Sequence, residues 1–213
     1  MSKSRPWATP TRGRAPSGSR SRRRVLIFCE DSKSSVYYFR SFRVDPVRIE
    51  LKILGTGMNT DTLAEEAIRS LGDAAKRGEI YSEVWCVFDR DSFPTDRYMR
   101  AFALAATRNI KVAWANEAFE LWYLLHFDYI DTALGRHSYE EKLADRGLNY
   151  DKADAAVYAK VIDRQPTAIR NAKRLERYWN ERGTKCQALE NPSTNLHELV
   201  EFLNELAELA SAL

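Results

Sequence analysis

The apolar residues of the first half of the chain fall into short runs that end in acids. VLIFC begins at Val25 and is followed by Glu30 and Asp31, and VWCVFD begins at Val84 and ends at Asp89. Apolar runs of this length predict strands that are buried on both faces, as in parallel sheets. The sequence therefore predicts at least two central strands, each with acids at its carboxyl end.

Two further strands and four helices complete this half. VRIELKIL alternates and predicts a strand, and IKVAWA predicts another that ends at Ala115. Helices are expected through Tyr37–Phe42, over 60–76, from Pro94 to Arg108, and from an N-cap at Asn116. The residues predicted to share one face of the alternating strand are Val47, Ile49, Leu51 and Ile53. The alternation predicts an α/β fold with a mostly parallel four-stranded sheet flanked by helices.

Beyond residue 128 the apolar spacing is helical only. Helices are predicted near 139–146, 152–162, 166–181 and 194–210. The expected organisation is a basic tail over 1–24, an α/β core over 25–128, and a C-terminal helical extension over 129–213 that packs on the core.

Charge is unevenly distributed along the chain. The net charge is +3, but residues 1–24 contain eight basic residues and no acid. Prolines and serines separate these charges, so we expect a disordered tail. Its positive field suits a nucleic-acid backbone, with Arg22, Arg23 and Arg24 as candidate contacts. A solubilising leader is the alternative interpretation.

Composition excludes several classes of protein. The three cysteines are an odd number with no zinc-site spacing, which favours a reducing cytoplasm. No apolar run approaches the ~18 residues of a membrane span, and no signal peptide is recognisable, so no membrane partner is expected. His126, His137 and His197 are scattered and predict no catalytic triad, with His126 interpreted as a core histidine. The Gly55–Gly57 segment is interpreted as a turn.

Acids at the ends of separate strands are the candidate chemistry. Glu30, Asp89 and Asp91 follow predicted strands, and the carboxyl ends of parallel strands meet at one edge of the sheet. Closely spaced carboxylates repel one another unless a cation lies between them, and oxygen ligands suit Mg²⁺ or Mn²⁺. Such an ion activates water and stabilises displacement at phosphorus. The alternative is that these acids cap the helices that follow the strands.

Two further residues are candidates with open roles. Glu120 interrupts an apolar run, so it either forms a salt bridge with an arginine such as Arg170, faces water, or supports the acid site. Lys33, three residues past Glu30, either contacts a phosphate or is a solvated lysine at the start of a helix.

Four segments carry a resemblance to known families. VLIFCEDSKS (Val25–Ser34) and VFDRDSF (Val87–Phe93) resemble the Toprim pattern of topoisomerases, primases and nucleases, a strand-end Glu and a later D-x-D. ANEAFELWYLLHF (Ala115–Phe127) and NPSTNLHELVEFL (Asn191–Leu203) resemble the hallmark blocks of the RloB-like family. The resemblance spans about residues 24–203.

The resemblance implies a Toprim-like core and Mg²⁺-dependent cleavage of RNA, such as tRNA, or of DNA. It also implies a role in bacterial anti-phage defence and abortive infection, with an ATPase as partner. The implied metal ligands are Glu30, Asp89 and Asp91, with Glu120 and Asn116 in the family block. The C-terminal block, matched by Asn191, Ser193, Thr194 and Asn195, is expected to cap the last helix and line the site.

This sequence departs from the resemblance at one place. Relatives commonly have C-E-G-x-x-T-E, whereas Asp31 stands here in place of the Gly and Ser34-Ser35 in place of Thr-Glu. Either Asp31 takes over as a ligand or the local turn differs, so the number of metal ions, one or two, remains open.

Three hypotheses of function follow. The first is a metal-dependent nuclease with Glu30, Asp89, Asp91, Lys33 and Glu120 in its active site. The second is a non-catalytic sensor subunit that binds nucleic acid or the ATPase. The third is a Toprim nucleotidyl transferase, which the absence of a zinc module in the sequence disfavours. The oligomeric state stays open, since aromatics such as Trp179 suit a homo-oligomer interface and a core equally well.

Overall fold

The computed structural model describes residues 22–91, 93–184 and 186–211. The elements in chain order are β1 (Arg23–Cys29), α1 (Ser34–Arg40), β2 (Ile49–Gly55), α2 (Thr60–Lys76), β3 (Glu83–Asp89), α3 (Thr95–Ala106), β4 (Lys111–Asn116), α4 (Glu120–Leu125), α5 (Arg136–Asp145), α6 (Val157–Val161), a short 3₁₀ turn (Ile162–Arg164), α7 (Gln165–Glu181), β5 (Ser193–Thr194) and α8 (Leu196–Ser211).

The strands form a single sheet in the order β2-β1-β3-β4-β5. The first four are parallel, and β5 pairs antiparallel with the end of β4. The predicted α/β fold, with a mostly parallel sheet flanked by helices and a C-terminal helix, is confirmed. The structure adds the two-residue β5, which is too short to produce an alternating pattern in the sequence.

Both faces of the sheet are buried, which explains the continuous apolar runs. Val25, Ile27 and Cys29 point to the face covered by α1, α4, α7 and α8. Leu26 and Phe28 point to the opposite face, which α2 and α3 cover. Each central strand therefore requires apolar residues at consecutive positions.

Residues beyond 128 contribute to the same core as the strands. Leu196, Leu199 and Leu203 of α8 and Ala168 and Ala172 of α7 are fully buried with β1 and β3 residues. The predicted division at residue 128 stays a prediction, although the core on this face is built from both sides of it. No helix in the described part of the chain is long and apolar enough to cross a membrane.

Several boundaries differ from those expected, three of them at residues that bear on the site or the core. The strand β1 begins at Arg23, so Arg23 and Arg24 belong to the sheet, while residues 1–21 of the predicted tail lie outside the described residues. Val47, predicted to share one face of the alternating strand, lies outside it and is 81% exposed because β2 begins only at Ile49. The predicted helix start at Asn116 is wrong, since Asn116 ends β4 and α4 begins at Glu120.

Candidate functional site

Two neighbouring strands bring the predicted acids to one edge of the sheet. Glu30 directly follows β1, Asp89 ends β3, and Cys29 pairs with Val87 across these strands. The Glu30 amide donates to the Val87 carbonyl at 2.9 Å, so the pairing extends one residue past β1. The two acids therefore lie at the carboxyl ends of adjacent parallel strands, as the sequence predicted.

The Glu30 carboxylate contacts the backbone of Asp89. Its Oε2 accepts the Asp89 amide at 3.2 Å, and both of its oxygens lie 3.3 Å from the Thr60 hydroxyl, which donates to them. These contacts hold Glu30 at the mouth of a cleft of about 170 Å³. The residues that line the cleft are Glu30, Asp31, Ser35, Val87, Phe88, Asp89, Asp91 and Lys152.

Burial and like charges disfavour ionisation of Glu30 and Asp89. Burial raises the pKa of Glu30 to about 7, against the lowering effect of its hydrogen bonds from Asp89 and Thr60. Burial also raises the pKa of Asp89 well above its usual range, and the nearby charges of Glu120, Asp31, Asp91 and Glu30 raise it further. The neighbouring acids lie close enough to raise the pKa values of Glu30 and Asp89, which is typical of a functional site.

A tight turn after β3 positions Asp91. Asp91 has a φ of 41°, in the left-handed region that few residues other than glycine adopt. Its amide donates to the Glu117 carbonyl at 2.9 Å, which ties the turn to the segment after β4. The Arg90 guanidinium donates to the Phe93 carbonyl and the Thr95 hydroxyl. Arg90 therefore anchors the turn that presents the second acid of D-x-D.

Asp31 stabilises the start of α1. Its carboxylate accepts the Lys33 amide at 2.9 Å and both the amide and the hydroxyl of Ser35 at 3.0 Å. Side-chain oxygens at a helix start satisfy amides that lack partners within the helix. Asp31 and Ser35 thus form a helix cap where the resemblance has Gly and Glu, and Asp31 also lines the cleft.

Gly55 permits this turn to pack closely. A Cβ at Gly55 would lie 2.8 Å from the Ser32 Cα and 2.9 Å from the Asp31 carbonyl oxygen, so a side chain does not fit. The Gly57 amide donates to the Glu30 carbonyl at 2.8 Å, which continues the β1–β2 pairing. The Gly55–Gly57 segment is a turn that supports the acidic loop.

Glu120 lies at the start of α4 and is only 3% exposed. Its Oε1 accepts the Tyr150 hydroxyl at 2.7 Å, and the Tyr150 and Ser34 hydroxyls are 2.7 Å apart. Its Oε2 is buried and has no hydrogen-bond partner among the described residues. Glu120 therefore neither faces water nor pairs with Arg170, and of the three predicted alternatives the structure favours support of the acid site.

The predicted basic residues lie elsewhere. Lys33 is exposed and does not line the cleft, whereas Lys152, from the loop before α6, does. Arg24 pairs with Glu50 at 2.8 Å, and Arg23 lies 3.8 Å from Glu83. Both arginines are at the amino end of β1, about 20 Å from Glu30 at ~3.3 Å per residue. Arg22 is exposed at the same end, so none of the three adjoins the acids.

The C-terminal block joins the sheet edge. The Asn195 side chain accepts the Trp114 amide and donates to the Val112 carbonyl, both at 2.8 Å, and so continues the sheet. The Thr194 hydroxyl accepts the Leu196 amide at 3.1 Å, which confirms the expected cap of the last helix. The side-chain amide of Asn116 donates to the Gln187 and Glu190 backbone carbonyls.

The block does not line the acidic cleft. Ser193, Thr194 and Asn195 line a separate cavity of about 270 Å³ that also contains Trp114 and Trp179. The expectation that the block lines the acid site is therefore wrong, because β5 pairs with the outer side of β4. Trp179 donates to the Pro192 carbonyl at 2.7 Å, so its indole helps hold this segment.

His126 is a core residue, as interpreted. It is fully buried, its Nδ1 lies 2.8 Å from the Trp122 carbonyl, and burial lowers its pKa to about 4. The imidazole is therefore neutral near pH 7.

The donor chemistry of the cleft fits a hard divalent ion. The oxygens of Glu30, Asp89 and Asp91, together with the partnerless Oε2 of Glu120, are the ligand type that Mg²⁺ and Mn²⁺ prefer. Among residues 22–91, 93–184 and 186–211 no three Asp, Glu, His or Cys side chains are arranged to hold one ion by themselves. Mg²⁺ keeps several waters and commonly binds one or two carboxylates plus a substrate phosphate, so this spacing still suits it.

Several residues at the site escaped the sequence analysis. Thr60, Tyr150 and Lys152 come from a helix start and a loop that are remote from the acids in sequence. Thr60 follows an N-cap at Asn59, which was a usable signal for a helix start near the sheet edge. The loop around residue 150 carries no motif that indicates where it packs.

Comparison with known proteins gives one match. The family model described as RloB-like protein matches residues 25–203. No curated protein and no solved structure matches the chain.

Proposed function

The chain belongs to the RloB-like family, and from this premise we propose that it is a divalent-metal-dependent nuclease that hydrolyses phosphodiester bonds in RNA or DNA. The observation that carries the proposal is the convergence of Glu30 and Asp89, from adjacent strands, on one cleft that also receives Asp91. Buried acids held close together cost stability, and such arrangements cluster at functional sites.

Each residue of the cleft has a distinct role in the proposal. Glu30, Asp89 and Asp91 would hold Mg²⁺ or Mn²⁺, which when bound would supply positive charge and lower the pKa of water. The Thr60 hydroxyl and the Asp89 amide orient the Glu30 carboxylate. Arg90 fixes the turn that presents Asp91.

Lys152 supplies positive charge to the cleft in the proposal. It is exposed and lines the cleft together with the acids, so it is placed for the phosphate contact that was one of the two interpretations of Lys33. An ammonium group beside the reacting phosphate stabilises negative charge that develops during displacement.

The test is a cleavage assay with Asp89→Asn. Parent and variant are incubated with tRNA, single-stranded DNA and plasmid, each with Mg²⁺, Mn²⁺ or EDTA. We expect cleavage by the parent with a divalent ion, none in EDTA, and a loss of about a hundredfold or more in the variant, because second-shell changes alone cost 10–100-fold. Asp73→Asn, an exposed acid on α2 that pairs with Lys76, is the matched control.

Metal affinity provides a second readout. Titration calorimetry with Mn²⁺ should detect binding to the parent and to Asp73→Asn, and weaker or no binding to Asp89→Asn. Equal cleavage rates and equal Mn²⁺ affinities in parent and Asp89→Asn would overturn the proposal.

A second candidate is a non-catalytic sensor subunit that binds nucleic acid or an ATPase. The observation in its favour is that no three acids in the described part of the chain form a preassembled metal site. This candidate predicts nucleic-acid binding without cleavage under every metal condition above, and Mn²⁺ affinity that Glu30→Gln leaves unchanged.

The biological role rests on the family alone. We propose a function in bacterial anti-phage defence together with an ATPase partner. Expression of the parent should reduce phage plaque formation, and Asp89→Asn should not. Unaltered plaque counts with the parent and its neighbouring genes would contradict this role.

A further inference from the structure

The outer face of α7 carries arginines that pair with no carboxylate among the described residues. Arg170, Arg174 and Arg177 are exposed and follow helical spacing, so they lie on one face of the helix. Arg170 donates only to the Thr167 hydroxyl, and Arg177 has no hydrogen bond or ion pair within the described residues. The acid on this face is Glu181, in the final turn.

Most other basic side chains of the described structure are neutralised. Many lysines and arginines on the rest of the surface form ion pairs within 4 Å, whereas several exposed ones form none among the described residues, among them Arg22, Lys33, Arg43, Arg108, Lys142, Lys152 and Arg164. These pairs include Arg24–Glu50, Arg48–Asp45, Arg69–Glu66, Lys76–Asp73, Arg77–Glu79, Arg97–Asp61, Arg100–Glu65, Lys111–Glu83, Arg146–Asp128, Lys160–Asp154 and Lys173–Glu201. The α7 arginines are therefore distinctive because three of them without an acidic partner share one face of a single helix.

Aromatic rings accompany these arginines. The Arg174 guanidinium lies 3.7 Å from the centre of the Tyr129 ring, and that of Arg182 lies 3.5 Å from the Tyr178 ring. Guanidinium groups bind phosphates through paired hydrogen bonds, and aromatic faces stack on unpaired bases. An arginine and tyrosine surface suits a single nucleic-acid strand better than an acidic protein, which offers no bases to stack.

The helix is also connected to the acidic site. The side-chain amide of Asn171 in α7 donates to the Leu125 carbonyl, at the end of α4, at 2.8 Å. The same helix α4 begins with Glu120. The surface is therefore part of the layer of helices that supports the cleft.

We propose that the α7 surface, defined as Arg170, Arg174, Arg177 and Arg182 with Tyr129 and Tyr178, binds the phosphate backbone of single-stranded nucleic acid. The proposal rests on the proposed function and extends it, since it assigns the surface that holds the substrate. It is independent of the basic tail.

The test compares two triple variants of the full chain in binding to a fluorescent single-stranded RNA 20-mer in EDTA. One is Arg170→Ala, Arg174→Ala and Arg177→Ala. The matched control is Arg69→Ala, Arg77→Ala and Arg100→Ala, which removes the same charge from paired arginines. Alanine favours helix, so both should fold, which circular dichroism checks.

We expect anisotropy titrations to show weaker binding by the α7 triple variant, about tenfold or more at 0.1 M salt. The slope of log K against log[salt] should flatten by about 2, because each phosphate contact on a single strand contributes ~0.7. The control triple variant should lose less than about threefold. Lysine at the same three α7 positions should retain most of the salt slope.

Equal losses in both triple variants would overturn the proposal, because net charge alone would then explain them. Unchanged RNA binding by the α7 triple variant would also overturn it and would leave the face to an acidic protein partner. A parent that binds RNA through α7 but never cleaves it would refute the proposed nuclease and keep this inference. If the α7 triple variant binds RNA as tightly as the parent and still cleaves it, the α7 inference is refuted and the proposed nuclease stands.

Discussion

The charged residues at the two ends of the parallel strands are arranged in opposite ways; the end where the strands begin is called the amino edge and the end where they finish the carboxyl edge. At the amino edge, Glu50 accepts the guanidinium of Arg24 at 2.8 Å and the ammonium of Lys52 at 2.9 Å, and the Lys52 hydrogen bond holds its pKa below the usual range. At the carboxyl edge, burial raises the pKa of Glu30 to about 7, and neighbouring acids raise it further. The strand β1 thus runs from a region of paired charge at Arg24 to a region of accumulated negative charge at Glu30.

The difference indicates which edge serves the fold and which serves chemistry. Exposed ion pairs each contribute little, but they impose no electrostatic cost. Burial and neighbouring acids raise the pKa values of Glu30 and Asp89, which lowers stability at neutral pH. Since folding alone gives no reason to bury acids together, the carboxyl edge is the candidate for cation and phosphate chemistry.

Among the substitutions that compare the two edges, the largest effect is expected from Glu120→Gln, which changes a buried carboxyl group beside the acid cleft. We expect cleavage to fall about 10–100-fold, the range for residues that support metal ligands. Single-turnover rates at several Mn²⁺ concentrations measure the change and separate metal affinity from chemistry. Glu79→Gln at the amino edge is the control and should cleave like the parent, so equal rates in all three proteins would remove Glu120 from the site.

The next largest effects are changes of opposite sign in the free energy of unfolding when Glu30 and Glu50 are each replaced by Gln. The pKa of Glu30 is raised to about 7 in the folded protein. Its contribution to stability is therefore fully present below pH 4.5 and is lost as pH rises through 7. Glu30→Gln should therefore exceed the parent in free energy of unfolding by about 1–2 kcal/mol at pH 8, and the gap should close below pH 4.5.

Glu50 should behave in the opposite sense. Its lowered pKa adds stability above its unfolded pKa that is lost as pH falls, so Glu50→Gln should destabilise by less than about 1 kcal/mol at pH 7. Urea unfolding between pH 4 and pH 8 measures both variants. Equal signs for the two substitutions at pH 8 would contradict the contrast between the edges.

The smallest effect is expected from Arg24→Ala at the amino edge. The variant loses contacts with Glu50 and Glu79 and the approach to the Tyr81 ring. We expect a destabilisation of about 0.5–1 kcal/mol at 50 mM salt that shrinks at 1 M salt through screening. Cleavage should stay at the parent rate, and a large loss would connect this edge to catalysis.

The fold was predictable because its signals are local. Apolar runs such as VLIFC and VWCVFD identify buried parallel strands, and alternation with helices restricts the topology to an open α/β sheet. The 60–76 helix matches α2, Thr60–Lys76. By contrast, β5 has two residues, and its partner β4 lies almost 80 positions earlier, so no periodicity marks it.

The candidate site was predictable in part for a related reason. The positions of Glu30, Asp89 and Asp91 follow from where strands end, so their convergence required only that the strands be parallel neighbours. The environment of Glu120 depended on Tyr150, thirty residues later in a loop. The presence of Lys152 rather than Lys33 at the cleft has the same origin, since no local pattern indicates where the loop that contains Lys152 packs.

The sequence by itself determined the strand and helix order and the position of acids at the strand ends, because hydrophobic periodicity and strand length are properties of contiguous residues. Only the tertiary structure decided that Asn195 continues the sheet, that Tyr150 buries against Glu120, and that the arginines of α7 stay unpaired. Those features depend on contacts between distant segments, and their side chains look alike in sequence whether they pair, pack or remain available for a ligand.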